Sequence, residues 1–223
     1  MKTYLFDLDG TLLDSLYDLA ASTNYALRQH GLPEHSIDDV RCFVGNGVGQ
    51  LIHRATPEGY PEDEEAKVLA TFRAHYLLHA LDHTQPYPGI TPLLDRLHAE
   101  GHLIGIVSNK LQAGVDSLCQ RFFPQADVEI GEGGGLRRKP FPDMVEEAIQ
   151  RLRKVHPGTD SHLIGSADTT IYIGDSDIDV LTAKNAGLPC LSVLWGFRDR
   201  DFLLAHGATH LIEYPEEILR YKQ

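Results

Sequence analysis

Basic residues are in short supply in this 223-residue chain, where 20 Lys and Arg stand against 32 Asp and Glu for a formal net charge of −12. That balance argues against a nucleic-acid surface, which needs a basic stripe. It does not exclude a small anionic substrate, because a metal ion and a lysine together reverse the sign within one cleft. Cysteine is scarce too. Cys42, Cys119 and Cys190 are far apart and odd in number. They show neither a disulfide framework nor metal-ligand spacing, which points to thiols in a reducing compartment. Each has apolar neighbours, so core packing is the expected role of all three. No apolar run approaches the ~20 residues of a membrane span. The first such run stops at Asp7, so no signal peptide is expected and the expected location is cytoplasmic. Internal repeats and low-complexity tracts are missing. So are a Ser-His-Asp arrangement with a nucleophile turn and a phosphate loop ending in Gly-Lys-Ser/Thr.

What is present is an ordinary globular composition, 42% hydrophobic and 23% charged, organised around Tyr4-Leu5-Phe6-Asp7-Leu8-Asp9-Gly10-Thr11-Leu12-Leu13-Asp14-Ser15. A short apolar run of this kind fits one buried strand, and it breaks into two aspartates and a glycine before a helix start at Ser15. A strand ending in Asp-x-Asp-Gly-Thr delivers two carboxylates to the carboxyl edge of a sheet, where open α/β sheets bind ligands. Taken alone, the pentapeptide is equally a surface turn. Its context decides.

From Asp14 to His83 the chain reads as helical, with no convincing strand. Ser15 followed by Asp18 looks like an N-cap with an acid in the first turn, and a second helix is expected after Ser36. Val44-Gly45-Asn46-Gly47-Val48-Gly49 is either a place where backbone amides approach a ligand or a helix–helix connection. His75, His79 and His83 share i, i+4 spacing, a zinc-compatible pattern that also suits a solvated stripe. From Ile90 onward strands alternate with helices. Thr91-Pro92 reads as an N-cap and first helical position. Strands are expected over His102 to Val107, around Val128 to Ile130, over Thr170 to Ile173, Cys190 to Leu194 and Thr209 to Ile212, with a longer surface loop over 156–167. Such βα alternation predicts an α/β fold with a parallel sheet and helices on both faces.

Four polar clusters follow four of these segments: Asp7/Asp9, Ser108/Asn109, Lys139 and Asp175/Asp179. In a parallel sheet they converge on one edge. Two carboxylates about 5 Å apart repel by roughly 3 kcal/mol at an effective dielectric near 20, so crowding four acids there calls for a cation. Oxygen-only ligands with room for water and phosphate favour Mg²⁺. Lys139 offers a positive charge to a phosphate oxygen or a carboxylate, and Ser108 a hydroxyl. The chemistry these groups suit is phosphoryl transfer.

Asp7-x-Asp9-Gly10-Thr11, Ser108-Asn109, Lys139-Pro140 and Gly174-Asp175-Ser176-Asp177-x-Asp179 resemble, in order, the four motifs of the haloacid dehalogenase superfamily. The resemblance implies a Rossmann-like core over 1–13 and 84–223, with a small helical cap inserted over 14–83. It implies Asp7 as nucleophile and Asp9 as the acid that protonates the leaving oxygen and then activates water. It implies Mg²⁺ held by Asp7, the backbone carbonyl of Asp9 and Asp175, with Asp179 behind them. Thr11, Ser108, Asn109 and Lys139 would position the phosphate. Asp9, where members acting on haloacids carry a non-acidic residue, favours a phosphatase. Asp14 to Leu19, Val44 to Val48 and Leu194-Trp195-Gly196-Phe197-Arg198 are similar to the phosphoglycolate phosphatases of that superfamily, which would set Asn46 and Gly47 against the leaving group. Ser108-Asn109-Lys110 also resembles that group, although Leu111 stands where proline is frequent. The expected partner is a small phosphorylated substrate such as 2-phosphoglycolate, with neither nucleic acid nor membrane, for a monomer or homodimer. A sugar phosphomutase, a pyrophosphatase or a nucleotidase of the same superfamily is the alternative. Trp195 reads as packing, Arg198 as a phosphate-side contact or a helix-start residue, and Arg137-Arg138 as a solvated loop.

Overall fold

The computed structural model describes residues 1–158 and 160–221. The chain forms two compact units, one comprising Met1–Leu12 and the chain from Pro86 on, the other Leu13–Gln85.

The first unit is built on β1 (Thr3–Phe6), and all four of its residues are buried. A strand covered on both faces is apolar throughout rather than alternating, which is how Tyr4-Leu5-Phe6 reads. The chain enters the second unit through β2 (Leu13–Asp14), α1 (Leu16–Gln29), α2 (Ile37–Phe43), α3 (Gly47–Ala55) and α4 (Glu62–His79), and leaves at β3 (Gln85–Pro86). It then runs α5 (Ile90–Ala99), β4 (Leu103–Leu111), α6 (Gln112–Phe122), β5 (Val128–Glu132), α7 (Asp143–Val155), β6 (Thr170–Gly174), α8 (Asp177–Asn185), β7 (Cys190–Val193), α9 (Arg200–Ala205) and β8 (Leu211–Ile212). The main sheet has the order β5-β4-β1-β6-β7-β8, with every pairing parallel. The chain moves outward from β1 through β4 to β5, then returns to the other side of β1 for β6. The direction of winding therefore reverses at β1, and a crevice opens outside the strand ends at such a reversal.

α7 buries Met144, Val145, Ala148 and Leu152, a spacing that lines one face of a helix. That face joins Leu5, Val107, Val128, Ile130 and Tyr172 in one core cluster. The α/β architecture and its parallel sheet match the reading of the sequence from Ile90 onward.

Several local expectations shift. α5 is capped by Gly89 at φ 87° and starts at Ile90, so Thr91 and Pro92 lie inside its first turn. Proline is tolerated there because the first helical N–H groups lack intrahelical partners in any case. Ser108 and Asn109 belong to β4 rather than following it. The last strand shortens to Leu211–Ile212. Asp14 is in a strand after all, β2, in a two-stranded sheet with β3. The loop expected over 156–167 holds a short 3₁₀ turn, Ser161–Leu163, and Thr159 lies outside the described residues.

Within the second unit Ser36 caps α2 reciprocally with Asp39, each backbone N–H donating to the other's side chain at 3.1 Å. Val44 to Asn46 connects α2 to α3, with Gly45 at φ 120°, Asn46 at 62° and Gly47 at 83°. Those left-handed values account for the glycines. Ser15 stands at the N-cap of α1 and Asp18 in its first turn, as expected, and the Asp18 carboxylate turns to the other end of the unit, to His83 and Thr84. Cys42 is exposed, not packed as expected, because α2 buries only Val40.

Candidate active site

The end of β1 sets the first group in place. The Asp7 N–H donates to the Ile173 carbonyl at 2.9 Å, which fixes Asp7 against β6 with its side chain buried. Gly10, immediately after Asp9, adopts φ 90°. A Cβ at Gly10 would overlap the Asp175 carboxylate, so glycine is required both by the left-handed turn and by the close approach.

Lys139 lies in the loop after β5 yet is buried at the sheet edge. Its ammonium donates to Asp7 Oδ1 at 2.7 Å, Asp179 Oδ1 at 2.8 Å and the Tyr172 hydroxyl oxygen at 3.1 Å. An ammonium has three protons, and these three oxygens account for them. The loop is anchored by Asn109, whose side-chain amide donates to the Lys139 carbonyl at 3.0 Å and accepts from the Lys139 N–H at 2.8 Å. Asn109 thus acts on the lysine's backbone. Ser108 Oγ accepts from the Lys110 N–H at 3.1 Å.

Asp175 follows β6 and is buried. Thr11 Oγ1 donates to its Oδ1 at 3.3 Å, and the Phe197 N–H donates to its Oδ2 at 2.7 Å. Asp179, on the first turn of α8, accepts from the Ser176 N–H at 3.1 Å and the Ser176 hydroxyl at 2.6 Å on Oδ2. Its Oδ1 accepts from Lys139 and from the Tyr172 hydroxyl. One oxygen each of Asp7, Asp175 and Asp179 lies within 4.8 Å of the other two. Among the described residues these three form the acidic group close enough to hold a metal ion. A donor set of carboxylate oxygens alone suits a hard divalent cation.

Electrostatics reinforce that reading. Burial holds the Asp7 carboxyl well above the usual carboxylate range, and Asp179 adds to the rise while Lys139 opposes it. Burial, then Asp179, pushes Asp175 up to about 7, against the pull of the Phe197 N–H and Arg198. Lys139 is held charged well above its ordinary value: burial works against the charge, but Asp179 and Asp7 outweigh it. The cluster is short of positive charge, and a divalent cation would supply it.

Asp9 stands apart from this cluster. Both its carboxylate oxygens accept from the Lys110 ammonium at 3.1 Å. Asn46 and Gly47 belong to the second unit, at the start of α3. The three histidines of the sequence pattern do not form a ligand set: His75 meets Ser22 Oγ at 3.0 Å, His79 meets Asp82 at 2.8 Å and His83 meets Asp18 at 2.9 Å. Arg137 pairs with Asp143 at 2.8 and 2.9 Å. A cavity of about 660 Å³ lies along β5, lined by Gln112, Asp116, Glu129 and Arg151 among others. None of the convergent carboxylates lines it, so it is not this site.

Three participants had no functional role in the sequence reading: Tyr172, the Phe197 N–H and the Trp195 indole, which donates to the Thr11 carbonyl at 3.0 Å; Lys110 entered it only within the likeness of Ser108-Asn109-Lys110. Tyr172 carries the one signal that residue types offered, a phenol hydroxyl in the middle of a buried strand.

The arrangement compares with known proteins throughout its length. A family model described as haloacid dehalogenase-like hydrolase matches residues 4–193. A phosphoglycolate phosphatase of Cereibacter sphaeroides (strain ATCC 17025 / ATH 2.4.3) is 32% identical over 232 aligned positions, covering 99% of each chain. One of Xanthomonas campestris pv. campestris (strain 8004) is 33% identical, covering 97% of this chain and 94% of its own. A crystal structure from Lactobacillus delbrueckii subsp. bulgaricus, named provisionally as a phosphoglycolate phosphatase, superposes with a TM-score of 0.87 at 34% identity. It covers 98% of this chain and 97% of that one. No helix among the described residues is long and apolar enough to cross a membrane.

Proposed function

The chain belongs to the haloacid dehalogenase-like hydrolase family, and we propose that it is a Mg²⁺-dependent phosphatase that hydrolyses a small phosphomonoester, 2-phosphoglycolate first among candidates. The observation that carries this reading is the Lys139 ammonium shared between Asp7 and Asp179, beside Asp175, at the end of β1. Asp7, the backbone carbonyl of Asp9 and Asp175 would hold Mg²⁺. When bound, the ion neutralises charge on the phosphoryl oxygens and on the crowded acids.

The chain's own residues carry the chemistry. An Asp7 carboxylate oxygen attacks phosphorus in line with the ester oxygen; the bond to the leaving group breaks, and that oxygen takes a proton from Asp9. Asp9, now a carboxylate, removes a proton from water. The resulting hydroxide attacks phosphorus, the phosphorus–Asp7 bond breaks, and phosphate departs. Splitting the displacement in two lowers each barrier. Lys139 holds Asp7 oriented and offsets its charge. Asp179, whose Oδ1 accepts from Lys139 and Tyr172 and whose Oδ2 accepts from Ser176, suits a supporting role better than a direct one. Thr11 fixes Asp175. Ser108 is read as a phosphate contact. The helical second unit is read as the module that selects the leaving group, with Asn46 and Gly47 as its contributors.

The test is a panel of 2-phosphoglycolate, pyrophosphate, nucleotides and β-glucose 1-phosphate ranked by kcat/KM, repeated with EDTA and after Mg²⁺ is restored. Preference for 2-phosphoglycolate, abolished by EDTA, is the expected result. Asp7→Asn is expected to fold normally and lose turnover; activity retained in that variant on any phosphomonoester counts heavily against the mechanism. Dependence on a bisphosphate activator would assign the mutase class instead.

A further inference from the structure

The reading above gives Asp9 the proton for the leaving oxygen and the helical unit the selection of the leaving group, and it names no cation for a charged one. Lys139 is committed: its three protons go to Asp7, Asp179 and Tyr172. A second ammonium occupies the same sheet edge. Lys110, next to last in β4, places its Nζ 3.1 Å from each Asp9 oxygen. Its side chain is 8% exposed and that of Asp9 18%, so the pair is largely withdrawn from water and its field is weakly screened. The backbone fixes its origin, since the Lys110 N–H donates to Ser108 Oγ at 3.1 Å. The stem runs beside Gly114, close enough that a Cβ there would lie 3.5 Å from its methylenes.

We infer that Lys110 reads the carboxylate of the leaving group and so makes the site selective for phosphate esters of small hydroxy acids. The argument rests on the role of Asp9 proposed above. The leaving oxygen must come within hydrogen-bond reach of Asp9, roughly 2.6–3.2 Å. In an ester of a 2-hydroxy acid the carboxylate is attached one carbon away, so by ordinary bond lengths its oxygens lie about 3 Å from the leaving oxygen. A carboxylate brought that close to Asp9 also comes beside the Lys110 ammonium, which lies 3.1 Å from both Asp9 oxygens and offers it a cation at the same spot. An ester without the carboxylate gains nothing from it. Holding Asp9 in place and reading the substrate are different tasks, and they separate in experiment: loss of a support for Asp9 slows every ester alike, whereas loss of the reader slows only the ester that carries the carboxylate.

The measurement is kcat/KM for 2-phosphoglycolate and for ethyl phosphate, which replaces the carboxylate by a methyl group, on the full chain with Mg²⁺ present. Lys110→Met is compared with the wild type after circular dichroism has shown it folded; Lys110→Gln takes its place if it is not. The ratio of the two kcat/KM values is expected to fall at least tenfold in the variant. A smaller fall, with 2-phosphoglycolate still preferred, overturns this inference and leaves the phosphatase reading standing, Lys110 then acting through Asp9 only. A wild-type enzyme with no preference for 2-phosphoglycolate overturns the substrate reading and this inference with it.

Discussion

The Lys139 ammonium donates to Asp7 Oδ1 at 2.7 Å, joining residues 132 positions apart in the chain. The same nitrogen lies 2.8 Å from Asp179 Oδ1, and all three side chains are buried. Lysine is therefore structural as well as chemical here. Lys139→Met is expected to leave two buried carboxylates without their cation, at a cost of about 3–5 kcal/mol for a broken buried pair. It is also expected to reduce kcat by at least two orders of magnitude, since oriented charge of this kind dominates phosphoryl transfer. Urea denaturation checks the first and steady-state kinetics the second. Adding Asp179→Asn to Lys139→Met is expected to recover part of the lost stability and none of the activity. Full stability in the single variant would show the carboxylates to be neutralised by other means.

Metal removal has a pH signature whose sign follows from Asp175. Burial and Asp179 raise its pKa from 3.8 to about 7 in the fold, and Asp7 is shifted in the same direction, chiefly by burial. Between the unfolded and folded values the native state keeps a proton that the unfolded chain has released. Raising the pH through that window therefore destabilises the metal-free protein, and the loss is complete above the folded pKa. A divalent cation favours the ionised carboxylates, so the increase in Tm produced by Mg²⁺ over EDTA is expected to grow from about pH 5 to about pH 8. Thermal melting across that range measures it. An increment that is flat or shrinks with pH would mean that the acids do not change protonation on binding.

The residues that sequence made legible share one property: their side chains carry the chemistry and their positions lie at or just past the ends of strands. Parallel alternation puts all strand ends on one edge, so Asp7, Lys139 and Asp175 were predictable as neighbours from order alone. What could not be read came from backbone groups and close approaches. The Phe197 N–H that fixes Asp175 belongs to no residue type in particular. The cap of α5 is Gly89 rather than Thr91, because the left-handed turn there outweighs the preference for a hydroxyl cap. Tyr172 lies in the core, yet its hydroxyl reaches Lys139 and Asp179 as well.

Gly196 shows how narrow the tolerance is around Asp175. A Cβ built at Gly196 would overlap both the Asp175 side chain and the Gly10 carbonyl. Gly196→Ala is expected to push Asp175 off its Thr11 and Phe197 hydrogen bonds, with the ~1–3 kcal/mol cost usual for overpacking. Metal affinity should suffer more than substrate affinity, by about tenfold or more, because Asp175 is a proposed ligand and the substrate contacts lie elsewhere. Calorimetric titration with Mg²⁺ alone provides the readout. Unaltered Mg²⁺ affinity in a folded variant would remove Asp175 from the ligand set.

Asp18 tests whether the helical unit has its own keystone. Its two oxygens accept from the His83 N–H at 3.1 and 3.0 Å, the Thr84 N–H at 2.8 Å and the Thr84 hydroxyl at 2.7 Å, and one oxygen meets His83 Nδ1 at 2.9 Å. These bonds close the unit, tying its first helix to the segment just before its exit strand. Burial alone would raise the Asp18 pKa, but the hydrogen bonds from His83 and Thr84 outweigh it and the net shift is downward. A depressed carboxylate contributes stability that is present above the unfolded value and lost as pH falls through the folded one. Asp18→Ala strands the Thr84 N–H and hydroxyl, whose residue is buried, at about 1–3 kcal/mol for each donor left unmet. Hydrogen exchange is the discriminating measurement: amides of α1 and α4 should exchange faster in the variant, while those of β1, β4 and β6 keep their protection. Uniform acceleration across both sets would mean that the two units unfold as one.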